Sequence, residues 1–185
     1  DPNNKDAANY WLETLPKMLN KKFLFENNIK DKINSINIEP IFIFGIPRSG
    51  TTLVETIITS GEKKIYNAGE NFILQKAFQN LQKNKKIYEK EESIKVDTDF
   101  LRKKIINNYM EIFSIQSEKF TFIDRTMTNF YFAEILLEVF PNAKIINCKR
   151  DSFHNLVAIY QQCLNNLPWS HNIKDIKKYI SIYNS

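Results

Sequence analysis

The sequence is short of the residues from which covalent or metal-bound scaffolds are made. Its 185 residues include only two cysteines and two histidines. Cys148 and Cys163 lack the close spacing of zinc ligands, and two cysteines do not make a disulfide framework. We therefore expect both cysteines to be reduced, partly buried thiols without a catalytic role.

Long apolar runs are also missing. No run approaches the roughly 18 residues of a membrane-spanning helix. Residues 1–10 have neither the basic start nor the apolar segment of a signal peptide. These absences predict a protein without a membrane span and with a cytoplasmic location. Because the chain does not begin with methionine, the prediction leaves open an upstream region that carries a targeting signal.

The excess of positive charge is small. The chain has 26 Lys and Arg against 21 Asp and Glu, a net charge of +5, and its lysines are scattered through helical stretches. Since nucleic acids are bound by clustered basic residues, this distribution argues against such a partner and favours at most a small anionic ligand. With 43% hydrophobic residues, the chain is long enough for one domain with a sizeable core.

Arginine is rare, and its placement is informative. Three of the four arginines, Arg48, Arg125 and Arg150, follow apolar, strand-like runs. In an open parallel sheet, ligands bind outside the carboxyl ends of the strands, and a planar guanidinium suits phosphate or sulfate better than a lysine does. The alternative is that each arginine pairs with a neighbouring acid, Asp124 or Asp151.

Hydrophobic periodicity predicts an α/β domain. Apolar runs alternate with helical patterns, which is typical of a doubly wound parallel sheet flanked by helices. The predicted strands are residues 41–44, 120–123 and 144–148, with a short one at 65–66. The predicted helices are residues 51–60, 71–81, 97–117, 130–140, 153–164 and 173–182.

Three further expectations concern organisation. Residues 1–39 are polar with a short amphipathic pattern, so we expect a peripheral helical lead-in before a domain at 40–185. The charged residues 83–95 are interpreted as a solvated linker or helix end. In the helix at 51–60, the apolar spacing predicts one buried face. That face comprises Leu53, Val54, Ile57 and Ile58.

The stretch I-F-I-F-G-I-P-R-S-G-T-T-L, residues 41–53, looks built to hold an anion. A buried strand leads into a glycine-bounded loop and then a helix whose first N–H groups point back at the loop. The spacing Gly45-x4-Gly50 matches a Walker A phosphate loop, but Thr51 stands where the Walker lysine is expected. The one cation in the loop is Arg48.

Four sequence blocks in order resemble the sulfotransferase superfamily. They are P-I-F-I-F-G-I-P-R-S-G-T-T-L-V-E (40–55), A-G-E (68–70), D-R-T-M-T-N-F (124–130) and F-P-N-A-K-I-I-N-C-K-R-D (140–151). The likeness is to the bacterial branch similar to tyrosylprotein sulfotransferases, often fused behind tetratricopeptide repeats. It implies a P-loop-like fold and, without a metal, transfer of a sulfuryl group from 3′-phosphoadenosine 5′-phosphosulfate (PAPS) to a hydroxyl of a peptide tyrosine, carbohydrate or small molecule. It also suggests an upstream helical-repeat region.

The resemblance assigns roles residue by residue. Glu70 takes the place of the general base, and Arg125 takes that of a lysine at the transferring sulfuryl group. Arg150 matches the arginine that grips the nucleotide 3′-phosphate. Arg48 would also stabilise the leaving group. The segment that resembles the 5′-phosphosulfate loop is Arg48, Ser49, Gly50, Thr51 and Thr52.

The sequence departs from the family pattern in places. Tyrosylprotein members carry two acids where Glu70 is followed by Asn71, and a turn glutamate is also able to cap a helix. Met127 replaces a proline and Ala158 a serine that contacts the 3′-phosphate. The chain ends at Ser185, before a region that closes over the nucleotide, so the resemblance implies a C-terminally incomplete domain.

Two other functions stay open at this point. One is a P-loop kinase or NTPase, against which the missing Walker lysine argues. The other is a degenerate module that binds nucleotide without catalysis, motivated by Ala158 and the short C-terminus. For His154 and His171, outside the family's base position, we expect surface or capping roles.

Overall fold

The computed structural model describes residues 2–19, 22–26, 38–61, 64–83, 93–117 and 119–185. Short π- or 3₁₀-helical turns cover Tyr10–Thr14, Asn129–Phe132 and Pro168–His171. None of the described helices combines the length and apolar character that crossing a membrane requires. In chain order, the described helices and strands are α1 (Pro2–Asn9), α2 (Leu15–Leu19), β1 (Lys22–Glu26), β2 (Ile38–Phe44), α3 (Thr51–Thr59), β3 (Tyr66–Asn67), α4 (Ile73–Lys83), β4 (Ser93–Asp97), α5 (Thr98–Phe113), β5 (Phe120–Asp124), α6 (Ala133–Val139), β6 (Lys144–Asn147), α7 (Ser152–Gln162) and α8 (Ile173–Asn184).

The predicted α/β fold with a parallel sheet flanked by helices is confirmed. Four strands form one sheet in the order β3-β5-β2-β6, and every pairing in it is parallel. The predicted strands at 41–44, 120–123 and 144–148 correspond to β2, β5 and β6. Strand β2 lies inside the sheet, with β5 on one side and β6 on the other, and its residues are almost all buried. The strand order therefore reverses at β2, the kind of position where open α/β sheets bind ligands.

A second, two-stranded sheet was not predicted. Strand β1 pairs in parallel with β4, with Phe23 opposite Ile94 and Phe25 opposite Val96. The expectation of a purely helical lead-in at 1–39 is thus wrong for residues 22–26. Residues 93–95, expected as linker or helix end, are part of strand β4, in whose sequence S-I-K-V-D apolar and polar residues alternate. Residues 84–92 of that charged run lie outside the described residues.

The buried face of α3 also differs from the prediction. Leu53 and Ile57 are 65% and 62% exposed, whereas Glu55 is 5% exposed. Val54 and Ile58 of the predicted face are half-buried. The buried carboxylate has a partner, since Glu55 Oε2 accepts a hydrogen bond from Arg125 Nε at 2.8 Å, and a charge is tolerated inside a fold only with such a partner.

The chain divides into two compact units. The helical unit comprises Asp1–Asn20, Gly45–Thr51 and Cys148–Ser185, and the sheet unit comprises Lys21–Phe44 and Thr52–Asn147. The division into a lead-in at 1–39 and a domain at 40–185 stays a prediction.

Each unit has an aromatic core. In the helical unit, Trp169 stacks on Tyr179 with ring centroids 3.9 Å apart, and both side chains are fully buried. In the sheet unit, Phe122 of β5 contacts Tyr109 of α5 at 4.0 Å and Phe42 of β2 at 6.0 Å, measured between ring centroids. Large buried rings such as these contribute much apolar area to the core of each unit.

Candidate functional site

The loop after β2 has a backbone that few residues accept. A Cβ on Gly45 would stand within 3.0 Å of the Ser49 and Thr51 side chains and 3.2 Å from the carbonyl oxygen of Cys148. Gly50 has φ of +100°, and Arg48 has φ of +69°, a left-handed conformation that costs a non-glycine residue about 1–2 kcal/mol. The loop thus combines one position without room for a side chain and one strained arginine.

Side chains from the start of α7 hold this loop by its carbonyl oxygens. Asn155 Nδ2 donates to the Pro47 carbonyl at 2.6 Å, and Arg150 Nη1 donates to the Arg48 carbonyl at 3.1 Å. Asn155 is fully buried. The sequence did not indicate this contact, because Asn155 and Pro47 are 108 positions apart.

The loop carries positive charge with little local compensation. Among the described residues, no carboxylate lies within ion-pair distance of Arg48 or Arg150, and both arginines are exposed. Asp151, the acid expected as an alternative partner for Arg150, caps α7 instead by accepting a hydrogen bond from the His154 amide at 2.9 Å. That hydrogen bond, with smaller help from nearby positive charge, lowers the pKa of Asp151.

Two polar atoms near the loop lack a partner within the described chain. They are Ser49 Oγ and Asn155 Oδ1, both buried. A buried hydroxyl without a partner is costly unless something else bonds to it, and a hydroxyl is able to donate to an anion. Helix α3 begins at Thr51, so the first N–H groups of its first turn have no partner inside the helix.

The structure brings five predicted residues together here, which we call the loop group. Thr52 follows in α3, is exposed and belongs to the sheet unit. The loop group is Arg48, Ser49, Gly50, Thr51 and Arg150.

A second set, which we call the acid group, lies in the sheet unit and comprises Glu55, Glu70 and Arg125. Arg125 bonds through Nε to buried Glu55 at 2.8 Å and through Nη1 to Glu70, whose side chain is 48% exposed. Burial lowers the pKa of Arg125, but the hydrogen bonds and negative charges of the two glutamates outweigh it, and the net pKa is raised. Glu70 and Arg125, both predicted site residues, are therefore in contact, and Glu55 is a second partner of Arg125 that the sequence did not indicate.

The turn that carries Glu70 is joined to the end of β5 by backbone hydrogen bonds. The Ala68 amide donates to the Ile123 carbonyl at 2.9 Å, and the Arg125 amide donates to the Gly69 carbonyl at 3.1 Å. Asn71 Oδ1 accepts from the Ile73 amide at 2.8 Å, so the cap of α4 is Asn71. The glutamate side chain is turned to Arg125 instead of to the helix.

Beside this turn lies a buried carboxylate, Asp124, which is fully shielded from solvent. It accepts hydrogen bonds from the Tyr109 hydroxyl, from Asn71 Nδ2 at 3.0 Å and from the Thr126 amide at 2.8 Å. Burial and the charge of Asp124 raise the pKa of Tyr109 well above its ordinary value, so the phenol remains a donor. The alternative that Arg125 pairs with Asp124 is not what the structure contains.

The remaining candidates belong to neither group. His154 lies at the start of α7 with Nδ1 3.1 Å from Asp151, and His171 Nε2 is 3.2 Å from the Leu164 carbonyl oxygen. Both histidines are exposed, in the surface positions expected for them. Ala158 lies on α7 and has no hydroxyl group at the position where the resemblance implies a serine. Burial raises the pKa of Cys148, while Cys163 is exposed.

Comparison with known proteins agrees with the blocks found in the sequence. The chain is 37% identical over 131 residues to an uncharacterized protein of Aquifex aeolicus (strain VF5). The matched region covers 66% of this chain and 17% of that protein. The chain thus spans about a sixth of the length of this relative. The model of the family described as "Sulfotransferase family" matches residues 40–185, which contain both the loop group and the acid group. The chain therefore belongs to the sulfotransferase family.

Proposed function

We propose that this protein transfers a sulfuryl group from PAPS to an acceptor hydroxyl. The observation that carries the proposal is the hydrogen bond from Arg150 to the Arg48 carbonyl, between residues 102 positions apart. It brings a second guanidinium to a glycine-bounded loop that already carries one. A nucleotide with a phosphosulfate at one end and a phosphate at the other needs two such anion contacts.

The loop group would hold the nucleotide by its charges. Backbone N–H groups at the start of α3 and the Ser49 hydroxyl suit the 5′-phosphosulfate, and Arg150 suits the 3′-phosphate. The lack of a described ion-pair partner for Arg48 and Arg150 supports this assignment, since neither arginine must give up a carboxylate to bind an anion.

The acid group would carry out the proton transfer. Glu70 accepts the proton of the acceptor hydroxyl as its oxygen attacks sulfur in line. The new oxygen–sulfur bond forms while the bond from sulfur to the phosphate oxygen breaks, and the electron pair leaves with the nucleotide. Arg48 and Arg125 stabilise the charge on that departing phosphate. Because arginine stays protonated at neutral pH, Arg125 acts through its charge and not as a proton donor.

The remaining parts of the proposal follow the family. The reaction needs no metal, the acceptor is a peptide tyrosine, carbohydrate or small hydroxyl compound, and nucleic acid is not a partner. Location in the cytoplasm and an upstream helical-repeat region also stay predictions.

A second candidate is a module that binds the nucleotide without transferring sulfate. Ala158 favours it, because the resemblance places there a serine that bonds to the 3′-phosphate. Loss of one hydrogen bond to a charged group costs about 1.5–3 kcal/mol, or more than tenfold in affinity. Asn155 offers at most a partial replacement, since one of the two N–H donors of its amide nitrogen bonds to Pro47.

The test is calorimetric titration with 3′-phosphoadenosine 5′-phosphate and, separately, with ATP plus magnesium. The Arg150→Ala variant should bind the bisphosphate at least tenfold more weakly, because it loses a charged hydrogen bond. Removal of the exposed Lys174 in α8 is the matched control for a general loss of charge and should leave the affinity within about threefold.

Transfer is then assayed with PAPS and three acceptors: a tyrosine-containing peptide, a monosaccharide and 4-nitrophenol. Bisphosphate binding that depends on Arg150, together with transfer to any acceptor, supports the proposal. Binding without transfer to any of them would favour the non-catalytic module. Tighter binding and turnover of ATP with magnesium would replace the proposal with a kinase or NTPase.

A further inference from the structure

Asp124 is the centre of a closed set of hydrogen bonds that the proposed reaction leaves unused. The carboxylate accepts from Asn71 Nδ2 and from the Thr126 amide, and Thr126 Oγ1 in turn accepts from the Asn71 amide at 3.0 Å. Tyr109 donates its hydroxyl from α5. We call these four residues, Asp124, Asn71, Thr126 and Tyr109, the Asp124 cluster.

Burying the Asp124 carboxylate costs free energy unless its hydrogen-bond donors stay in place. Asp124, Thr126 and Tyr109 are all fully buried. A buried carboxylate is tolerated only where hydrogen bonds replace its lost water, and here three donors do so. Any change in the position of Asn71 or Thr126 would leave a buried charge with an empty acceptor site. The cluster therefore fixes where these two residues lie.

Asn71 and Thr126 are the sequence neighbours of Glu70 and Arg125. We propose that Asp124 is a positioning residue for sulfuryl transfer, which holds the turn of Glu70 against the strand end that carries Arg125. This inference rests on the proposed function, because it assigns Asp124 to the geometry of the same acid group. Asp124 itself touches neither Glu70 nor Arg125 through a described side-chain bond, so its effect is indirect.

The cluster also explains why an amide follows Glu70. The Asn71 side chain donates to Asp124 through Nδ2 and accepts from the Ile73 amide through Oδ1. An acid at this position would set two carboxylates against each other inside the sheet unit. Asparagine therefore fits here because its neighbour in the cluster already carries the negative charge.

The test exchanges the two side chains. Asp124→Asn puts an amide in the place of the carboxylate that accepts from Asn71 and Tyr109. Asn71→Asp puts a second carboxylate beside that of Asp124. Combined, the two substitutions restore the hydrogen bond between residues 71 and 124 with its direction reversed and keep the bond from the Thr126 amide. The Tyr109 oxygen then accepts from the second N–H of the new amide at position 124 instead of donating to it. The matched control is Asp97→Asn, an exposed acid that caps α5 by accepting from the Phe100 amide, a bond that asparagine also makes.

In assays with PAPS and an acceptor that the wild type sulfates, we expect Asp124→Asn to lower kcat at least tenfold. The KM for PAPS and the affinity for the bisphosphate should stay within about threefold. The double exchange should return kcat to within about threefold of the wild type. Adding Glu70→Gln to it should abolish kcat again, which excludes the carboxylate introduced at position 71 as a substitute base. Amide hydrogen exchange at residues 71 and 126 should speed up in the single variant and recover in the double variant.

Two results would overturn the inference. One is an unchanged kcat in Asp124→Asn. The other is a double variant that recovers amide protection but not kcat, which would make the cluster structural only. If Asp124→Asn does not fold, Tyr109→Phe removes one donor and should lower kcat by a smaller factor at unchanged KM; no change would count against the inference. A wild type without any transfer would overturn the proposed function itself, a distinct outcome.

Discussion

The arginines of the loop group and of the acid group differ in what their guanidinium groups contact. Arg150 donates to a backbone carbonyl, and neither it nor Arg48 has an ion-pair partner among the described residues. Arg125 lies between two carboxylates, one buried and one half exposed. Arg150 and Arg125, which both follow sheet strands, thus have opposite kinds of partner.

The difference indicates separate tasks. A guanidinium bonded to a neutral carbonyl keeps its net charge, which suits binding of an anion. The acid group instead presents the half-exposed carboxylate of Glu70 beside Arg125, which suits contact with an acceptor hydroxyl. Affinity for the nucleotide should therefore depend on the loop group, and turnover on the acid group.

The largest expected effect separates these tasks. Glu70→Gln keeps the size of the side chain but removes the proton acceptor, so kcat with PAPS and acceptor should fall by about 10²- to 10⁴-fold. Affinity for 3′-phosphoadenosine 5′-phosphate, measured by calorimetry, should not change. Glu134→Gln, which alters a glutamate in the first turn of α6, is the matched control. Unchanged turnover in Glu70→Gln would move the base elsewhere.

The converse change should affect binding first. Gly45→Ala adds a Cβ that meets the Ser49 and Thr51 side chains and the backbone at Cys148, so the loop must shift. Overpacking costs about 1–3 kcal/mol, and we expect bisphosphate affinity to fall by about 10- to 100-fold.

Gly61 supplies the matched control for this glycine. A Cβ there meets its nearest atom, the Ile58 carbonyl oxygen, at 3.6 Å, an ordinary contact, so Gly61→Ala should bind normally. If Gly45→Ala binds the bisphosphate as tightly as Gly61→Ala does, binding does not need the close approach of the loop at Gly45.

The loop and the strand ends could be predicted from sequence because their signals are local. A buried apolar strand, two glycines at fixed spacing and a helix start all lie within residues 41–53. The same holds for Arg125 and Arg150, each of which follows a strand pattern. Local patterns determine these positions because the strand itself fixes where its carboxyl end, and the residues after it, must lie.

The parts that were missed depend on partners far along the chain. Glu55 lies outside the face of α3 that the apolar spacing predicts to be buried, and the partner of its buried carboxylate, Arg125, is 70 residues later. Asn155 reaches Pro47 across 108 residues, and Asp124 reaches Asn71 across 53. The pairing of β1 with β4 is equally distant, although the alternating pattern S-I-K-V-D at residues 93–97 was a readable sign of a strand.

The smallest expected effect concerns strain in the loop. Arg48 is left-handed with φ of +69°, a conformation that glycine adopts freely and alanine does not. Both Arg48→Ala and Arg48→Gly remove the guanidinium, so both should weaken bisphosphate binding to a similar extent. In thermal or denaturant unfolding, however, Arg48→Gly should be more stable than Arg48→Ala by about 1 kcal/mol.

This difference would show that the loop group bears a conformational cost to place its arginine, whereas the acid group places Arg125 through ion pairs. Equal stability of the two variants would mean that residue 48 is not held left-handed in solution. A glycine variant that is more stable and yet binds the bisphosphate as tightly as the wild type would remove Arg48 from the binding site. Its strain would then have no functional counterpart.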